Sequence, residues 1–437
     1  MRFRPHSRAL IGAIAVAMTM ALVGCGAGSR TGAQTATEVQ CDFENPAEPT
    51  TINVLAYNSS AVDPFTNTMV KSCTKENVTV KHDPIDFAGQ VQKTTATLAG
   101  DKGTYDIIET YGFIIGPNAA AQKLQPLDDL YAKYSAEYGL DQIDESMRKG
   151  MSYEGKLYGL PMQAQMFVMA YRKDVFDKHG LSAPKTFEEL RAAGKKIQDA
   201  GDMKYPIALP YLATGDIATH YQATLNSLGS DYVDPKTKEP QLDTPTSKQA
   251  FEEMKSLLPY MDPQVTTFDQ PKVQQQLFNG TAAIAVMFSG RMNDLTQETN
   301  SKYFDKFAFA APPAVESGGP LYSRLSIDGW SLPANTDKSP DLLFELIASS
   351  VSEDASKASI PAAFPARKGM MTEASSPYAA AAMESIEGTT PPESYPYTPD
   401  VSNAVISLIA QTVLGKLSVE EGSQQMQAAA DKVLAEY

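Results

Sequence analysis

Apolar and polar positions follow two rhythms along this chain. Short apolar runs bounded by turn residues read as buried strands, and longer stretches with apolar residues three and four apart read as helices. Residues 51–57 form the first predicted strand, and Asp63-Pro64 opens a helix to about Cys73. Strand 77–85, helix 87–98, strand 105–108 and a short helix at 118–124 follow. This β-α-β-α-β-α order predicts a mostly parallel sheet covered by helices. The pattern then changes. Residues 153–161 read as a hairpin entering a loop, and 166–172 as a strand. Further strands are expected at 206–210, 281–288, 306–311 and 327–332. Helices are expected at 217–228, at 244–258, from near Met292, and from Ser339-Pro340 to about Ser352. Capping boxes mark two more helix starts, Thr186 with Glu189 and Ser418 with Glu421.

The amino terminus reads differently. Arg2, Arg4 and Arg8 precede an uncharged apolar run over residues 9–23, which is short of the ~20 residues of a membrane span. The run ends in Leu22-Val23-Gly24-Cys25, which resembles the lipobox of bacterial lipoproteins. That resemblance implies a signal peptide over 1–24, cleavage before Cys25, and a lipid anchor on its thiol. An ordinary secretory peptide with a chance cysteine is the alternative. Residues 25–49 are rich in Gly, Ala, Thr and Ser and are expected to form a flexible tether. The expected location is the outer face of the cell membrane.

Charge and rare residues narrow the chemistry. The 437 residues carry 37 basic and 52 acidic side chains, a net charge of −15. Losing residues 1–24 leaves 34 basic residues against 52 acidic ones, a net −18. Such a chain is a poor nucleic-acid binder, because phosphates need clustered Lys and Arg. There are three Cys, four His and one Trp. With Cys25 lipidated, Cys41 and Cys73 remain, and an oxidising exterior favours a disulfide between them over two buried thiols. No cysteine or histidine spacing suggests a metal, and no cofactor is expected. No GxSxG, HExxH or P-loop motif is present.

The middle and end of the chain resemble the family 1 extracellular solute-binding proteins of ABC importers, the branch that includes maltose-type sugar binders. Gly155-Lys-Leu-Tyr-Gly-Leu-Pro161, Tyr171-Arg-Lys-Asp174, His179-Gly-Leu181 and Pro184-Lys-Thr-Phe-Glu-Glu-Leu190 carry the likeness. Phe278-Asn-Gly-Thr-Ala-Ala283, Gly329-Trp330, Asn335 to Leu343, Pro365-Ala-Arg367 and Leu417-Ser-Val-Glu-Glu421 follow in the family's order. The resemblance implies an α/β fold of the periplasmic-binding-protein type, with two lobes, a hinge and a ligand cleft between them. Lobe 1 would hold residues 50–162 and 327–358, and lobe 2 residues 164–324 and 362–437. It implies a monomer that captures a sugar by lobe closure and delivers it to ABC permease subunits.

Ligands in open α/β sheets sit beyond the carboxyl ends of strands. Those positions hold Tyr57, Asn58 and Ser59; Asp86; Thr110 and Tyr111; Gln163 and Gln165; Tyr211 and Asp216; Ser289 and Arg291; and Asp328 with Trp330. Arg367 joins them through the family resemblance. Amides, hydroxyls and carboxylates suit sugar hydroxyls, and aromatic faces suit the C–H face of a sugar ring. Each position has a plainer alternative: Trp330, Tyr57 and Tyr111 as packing, Asp86 as a helix cap, Arg291 as a structural ion pair. A single Trp argues against a long stacked platform, so a small neutral ligand is expected, a monosaccharide, disaccharide or polyol. The alternatives are a non-sugar solute on the same fold, or an extracellular glycosidase drawing carboxylates from loops such as Glu109 and Asp216.

Overall fold

The structure is a computed structural model and describes residues 36–389 and 395–437. The signal peptide, Cys25 and the first part of the expected tether lie outside the described residues. Eleven strands are present among them: β1 Thr50–Leu55, β2 Val78–His82, β3 Ile107–Tyr111, β4 Ser152–Tyr153, β5 Lys156–Leu157, β6 Leu160–Arg172, β7 Ile207–Ala208, β8 Ile284–Phe288, β9 Phe307–Ala310, β10 Leu325–Ser331 and β11 Phe364–Pro365. β4 and β5 make the expected hairpin, and Gly155 in its turn has φ +78°. The other strands form one sheet in the order β2-β1-β3-β10-β6-β8-β7, with β9 and β11 also paired to β6.

β6 joins the two halves. Its first part, Leu160 to Met166, pairs antiparallel with β10. Its second part, Phe167 to Tyr171, pairs antiparallel with β8. The expectation of a loop before Met166 is therefore corrected. Gln163 and Gln165 interrupt the apolar run in sequence, yet their amides are bonded inside the sheet and the strand runs straight through. All but one of its 13 residues are buried, as a strand covered on both faces requires.

Each lobe has its own core. Ile52, Val54, Phe65, Ile107, Leu160, Trp330 and Phe344 pack together in lobe 1. In lobe 2, side-chain alternation splits β6 and β8 between two cores. Phe167, Ile284 and Val286 face Phe187, Tyr221 and Phe251, while Val168, Ala285 and Met287 face Leu295 and Tyr378. Helix starts follow local chemistry. Ser418 and Glu421 form a reciprocal capping box. At Thr186 the hydroxyl accepts from the Glu189 amide at 3.2 Å, but the Glu189 carboxylate accepts from the Lys185 amide, one residue earlier than expected.

The expected tether is corrected from Ala36 onward. Lys71 donates to Ala36 O at 3.1 Å, Val39 N to Ser72 Oγ at 3.0 Å, and Tyr138 OH to Asp42 O at 3.1 Å. Cys41 is bonded to Cys73 with Cα atoms 5.4 Å apart, and both are buried in the lobe 1 core. Backbone bonds and one covalent bond hold a segment whose composition alone favours coil.

Candidate ligand cleft

The carboxyl ends of β1 and β3 face lobe 2 across the crossing strand β6. After β1 the chain turns through Tyr57, Asn58 and Ser59 into the Asp63–Cys73 helix. Asp63 fixes that turn: both its oxygens accept from Asn58 Nδ2 at 2.8 Å, and one accepts from Ser59 N at 3.2 Å. Ser60 Oγ reaches across to Gly290 O at 3.3 Å, so the lobes touch here. Gly290 allows the approach, because a Cβ there would lie 2.7 Å from Gln165 Oε1 and 3.1 Å from Ala61 Cβ.

Amides and carboxylates converge on this contact. Gln165 Nε2 donates to Asp328 Oδ2 at 2.6 Å and to Tyr57 OH at 3.2 Å. Gln163 Nε2 donates to the same Asp328 oxygen at 3.3 Å, and Ser326 Oγ to the other at 2.8 Å. Opposite register explains the meeting: Asp328 pairs with Gln163, and Ser326 with Gln165. Burial lifts the Asp328 carboxyl to about 6 despite these donors. Glu109, fully buried on β3, accepts from Tyr57 N at 2.9 Å. Burial first, and the Asp328 charge second, hold its carboxyl well above the usual range. Glu109 Oε1 and Gln163 Oε1 have no hydrogen-bond partner among the described residues.

An aromatic strip borders the polar group. Ring centroids step from Tyr57 to Phe87 (5.6 Å), to Tyr111 (5.6 Å) and to Phe113 (5.5 Å, stacked). Tyr111 OH donates to Gln90 Oε1 at 3.2 Å. Phe87 and Phe113 are 47% and 39% exposed, unusual for large apolar rings. Phe113 was missed in sequence because the helix expected at 118–124 spans Gly112–Ala120, with Pro117 inside it. Phe87 was read only as the first residue of the helix expected at 87–98.

Lobe 2 contributes Asp216, Gln270, Phe288, Ser289 and Arg291. Gln270 links two of them, donating to Asp216 Oδ1 at 3.3 Å and accepting from Phe288 N at 3.0 Å. Burial pushes the Asp216 carboxyl up to about 7. The Arg291 charge acts across the cleft, lowering the pKa of Tyr57 as well as those of Asp216 and Asp294. Ser289 is buried at the end of β8.

Other expected residues lie elsewhere. Asp86 caps the Phe87–Ala99 helix, its carboxylate accepting from Gly89 N at 2.7 Å. Thr110 points from the opposite face of β3 to Glu109 and Tyr111. Tyr211 is fully buried against His220 in the lobe 2 core. Trp330 is also fully buried, within the lobe 1 core and across from Glu109 in the β3–β10 register. Gly329 beside it lets β10 pack closely on β6, because a Cβ there would lie 2.3 Å from Leu160 O. Arg367 is corrected to a structural role. Its three nitrogens donate to Val351 O, Gly139 O and Tyr138 O at 2.7, 2.8 and 2.6 Å. Three of its five N–H donors are spent on these carbonyls, which fixes the buried guanidinium among lobe 1 backbone groups.

Residues 58–357 match the family model for bacterial extracellular solute-binding proteins. The chain belongs to this family. It is a solute-binding protein rather than an enzyme, which sets aside Glu109 and Asp216 as a hydrolytic pair. A maltotriose-binding protein of Pyrococcus abyssi is 32% identical over 173 residues, 39% of this chain and 35% of that protein. A mannitol-binding protein of Pseudomonas aeruginosa is 28% identical over 239 residues, 53% of this chain and 54% of that protein. The chain thus spans about a third to a half of these relatives. An ABC transporter solute-binding protein from Agrobacterium radiobacter, solved with ribitol, superposes with TM-score 0.79 at 20% identity, covering 89% of this chain and all of that one. This solute-binding protein therefore shares the two-lobed fold with a hinge and an interlobe cleft.

Proposed function

We propose that this solute-binding protein captures a small carbohydrate or polyol for an ABC importer and delivers it to the permease by lobe closure. One observation carries the reading: Gln163 and Gln165 on the crossing strand converge with Asp328 and Tyr57 beside an aromatic strip. Planar amides and carboxylates bond hydroxyls in pairs, and flat rings take the C–H face of a sugar. Relatives named for maltotriose and mannitol support it. A ligand touching Tyr57 on one lobe and Arg291 on the other would bind the closed arrangement better, and so shift the population toward it.

Calorimetry and melting shifts against a panel of monosaccharides, disaccharides and polyols test the proposal. Binding to the native state alone raises stability by RT ln(1 + [L]/Kd). A shift with any of them supports the reading; none, alongside a response to peptides or phosphate esters, removes it. The proposal includes a lipid anchor at Cys25, outside the cell membrane. Labelled palmitate should enter the wild-type chain and not Cys25→Ala, and label in neither would remove the anchor.

A further inference from the structure

The carboxylates around the cleft are numerous and buried. Asp63, Glu109, Asp294 and Asp328 are each less than a tenth exposed. They act on one another: Asp328 and Asp63 both raise the Glu109 pKa, and Asp63 raises that of Asp294. Arg291 is the cation whose charge acts on Tyr57, Asp216 and Asp294. One arginine cannot neutralise four buried acids, so in a low-dielectric setting the site either holds protons or takes up a cation. A neutral sugar, the sequence expectation, does nothing to relieve this.

Two independent features point to what would. Glu109 Oε1 and Gln163 Oε1 are buried acceptors without partners among the described residues, so the site wants donors. The strip of Tyr57, Phe87, Tyr111 and Phe113 offers ring faces, which attract cations as well as C–H groups. No three acidic, His or Cys groups among the described residues are placed to hold a metal ion. The cation the site calls for is therefore an organic one.

We propose that the preferred ligand is a polyhydroxylated amine, an amino sugar or amino polyol, whose ammonium sits among Glu109, Asp328 and the aromatic strip. The inference rests on the carbohydrate reading above. In the unliganded protein, burial favours a proton on Glu109 and lifts Asp328 to about 6. The groups facing them are Tyr57, Tyr111, Asp63, Gln163, Gln165 and Ser326, and the Arg291 charge acts on Tyr57 beside them. An arriving ammonium favours the carboxylates, so binding releases a proton to solvent, and a neutral polyol releases none.

Calorimetry with sorbitol, N-methyl-D-glucamine and putrescine separates the outcomes. The glucamine should bind at least ~10-fold more tightly than sorbitol, a difference of about 1.4 kcal/mol. Its apparent enthalpy should change with buffer ionisation enthalpy, and its affinity should fall as pH drops below about 6, where Asp328 takes up its proton. Glu109→Gln, or Asp294→Asn if that variant fails to fold, should narrow the glucamine-to-sorbitol ratio. Sorbitol binding as well as the glucamine, or no proton release, would overturn the inference and leave the carbohydrate reading standing. Putrescine binding alone would remove the carbohydrate reading and keep the cation site. Binding of none of the three, nor of amino sugars and sugars at large, would remove both.

Discussion

Gly290 is a position where one methyl group should burden closure as well as folding. Its carbonyl accepts from Ser60 Oγ across the cleft, and an added Cβ would meet Gln165 Oε1 at 2.7 Å and Ala61 Cβ at 3.1 Å. Gln165 cannot swing away cheaply, because its Nε2 is bonded to Asp328 at 2.6 Å and to Tyr57 at 3.2 Å. Overpacking of this kind costs about 1–3 kcal/mol. In an open arrangement the Ala61 contact disappears while the Gln165 contact, within lobe 2, stays, so the cost is shared between the folded protein itself and the closed state that ligand selects. Gly290→Ala should therefore lower the unliganded melting temperature through the Gln165 contact and also weaken ligand binding about 5- to 10-fold through the Ala61 contact. Calorimetry gives the affinity, small-angle scattering the compaction on binding, and the emission of Trp330 a report from within lobe 1. Ser60→Ala, which adds no atoms and removes one hydroxyl, should cost about 0.5–1.5 kcal/mol. Wild-type affinity in Gly290→Ala, or a lowered melting temperature with affinity intact, would refute the idea that this contact belongs to closure.

Three other outcomes follow from the same structure. Cys41→Ser or Cys73→Ser, or reduction of the bond, should lower stability by about 3–4 kcal/mol, as expected for a loop of this length, with a melting temperature that depends on reductant. Arg367→Met strands three buried carbonyls and should cost about 3 kcal/mol of stability while leaving affinity well below the melting point unchanged; lost affinity at wild-type stability would restore a cleft role. Burial pulls His220 down to about 3, so between about pH 6.5 and 3 the unfolded chain binds a proton that the folded one refuses. Stability should fall as pH drops through that window, by at most roughly 4–5 kcal/mol from this group, and denaturant titrations of His220→Gln should show a shallower acid slope. Asp328 and Asp216 act with the opposite sign, because their folded pKa values are raised.

What could be read from sequence was what local chemistry decides. The Ser418 box, the Asp86 cap and the first three strands need only neighbours within a few residues, and all are present. What could not be read depends on partners far along the chain. Gln163 and Gln165 broke an apolar rhythm and so read as loop, although Asp328, 163 residues from Gln165, makes them strand residues. Arg367 looked available because its three acceptors come from Tyr138, Gly139 and Val351. The count of one tryptophan misled differently. It was a fair guide to indoles but not to ring faces, and Phe87, Phe113 and two tyrosines supply those.

The Asp63–Cys73 helix ties these observations into one mechanical arrangement. Its first residue, Asp63, fixes the turn that carries Tyr57 to Ser60 into the cleft. Its last, Cys73, holds the amino-terminal segment through Cys41. Eleven residues of helix are about 16 Å long, so the attachment and the ligand turn sit at opposite ends of one rigid rod. A chain anchored at its amino terminus would therefore be held by lobe 1, with lobe 2 joined to it through β6 and the other crossing segments. Closure then becomes movement of lobe 2 against a held lobe 1. Fixing the protein through its amino terminus should leave ligand affinity unchanged, whereas an added cross-link between Ser60 and Ser289, both changed to Cys, should abolish exchange of bound ligand.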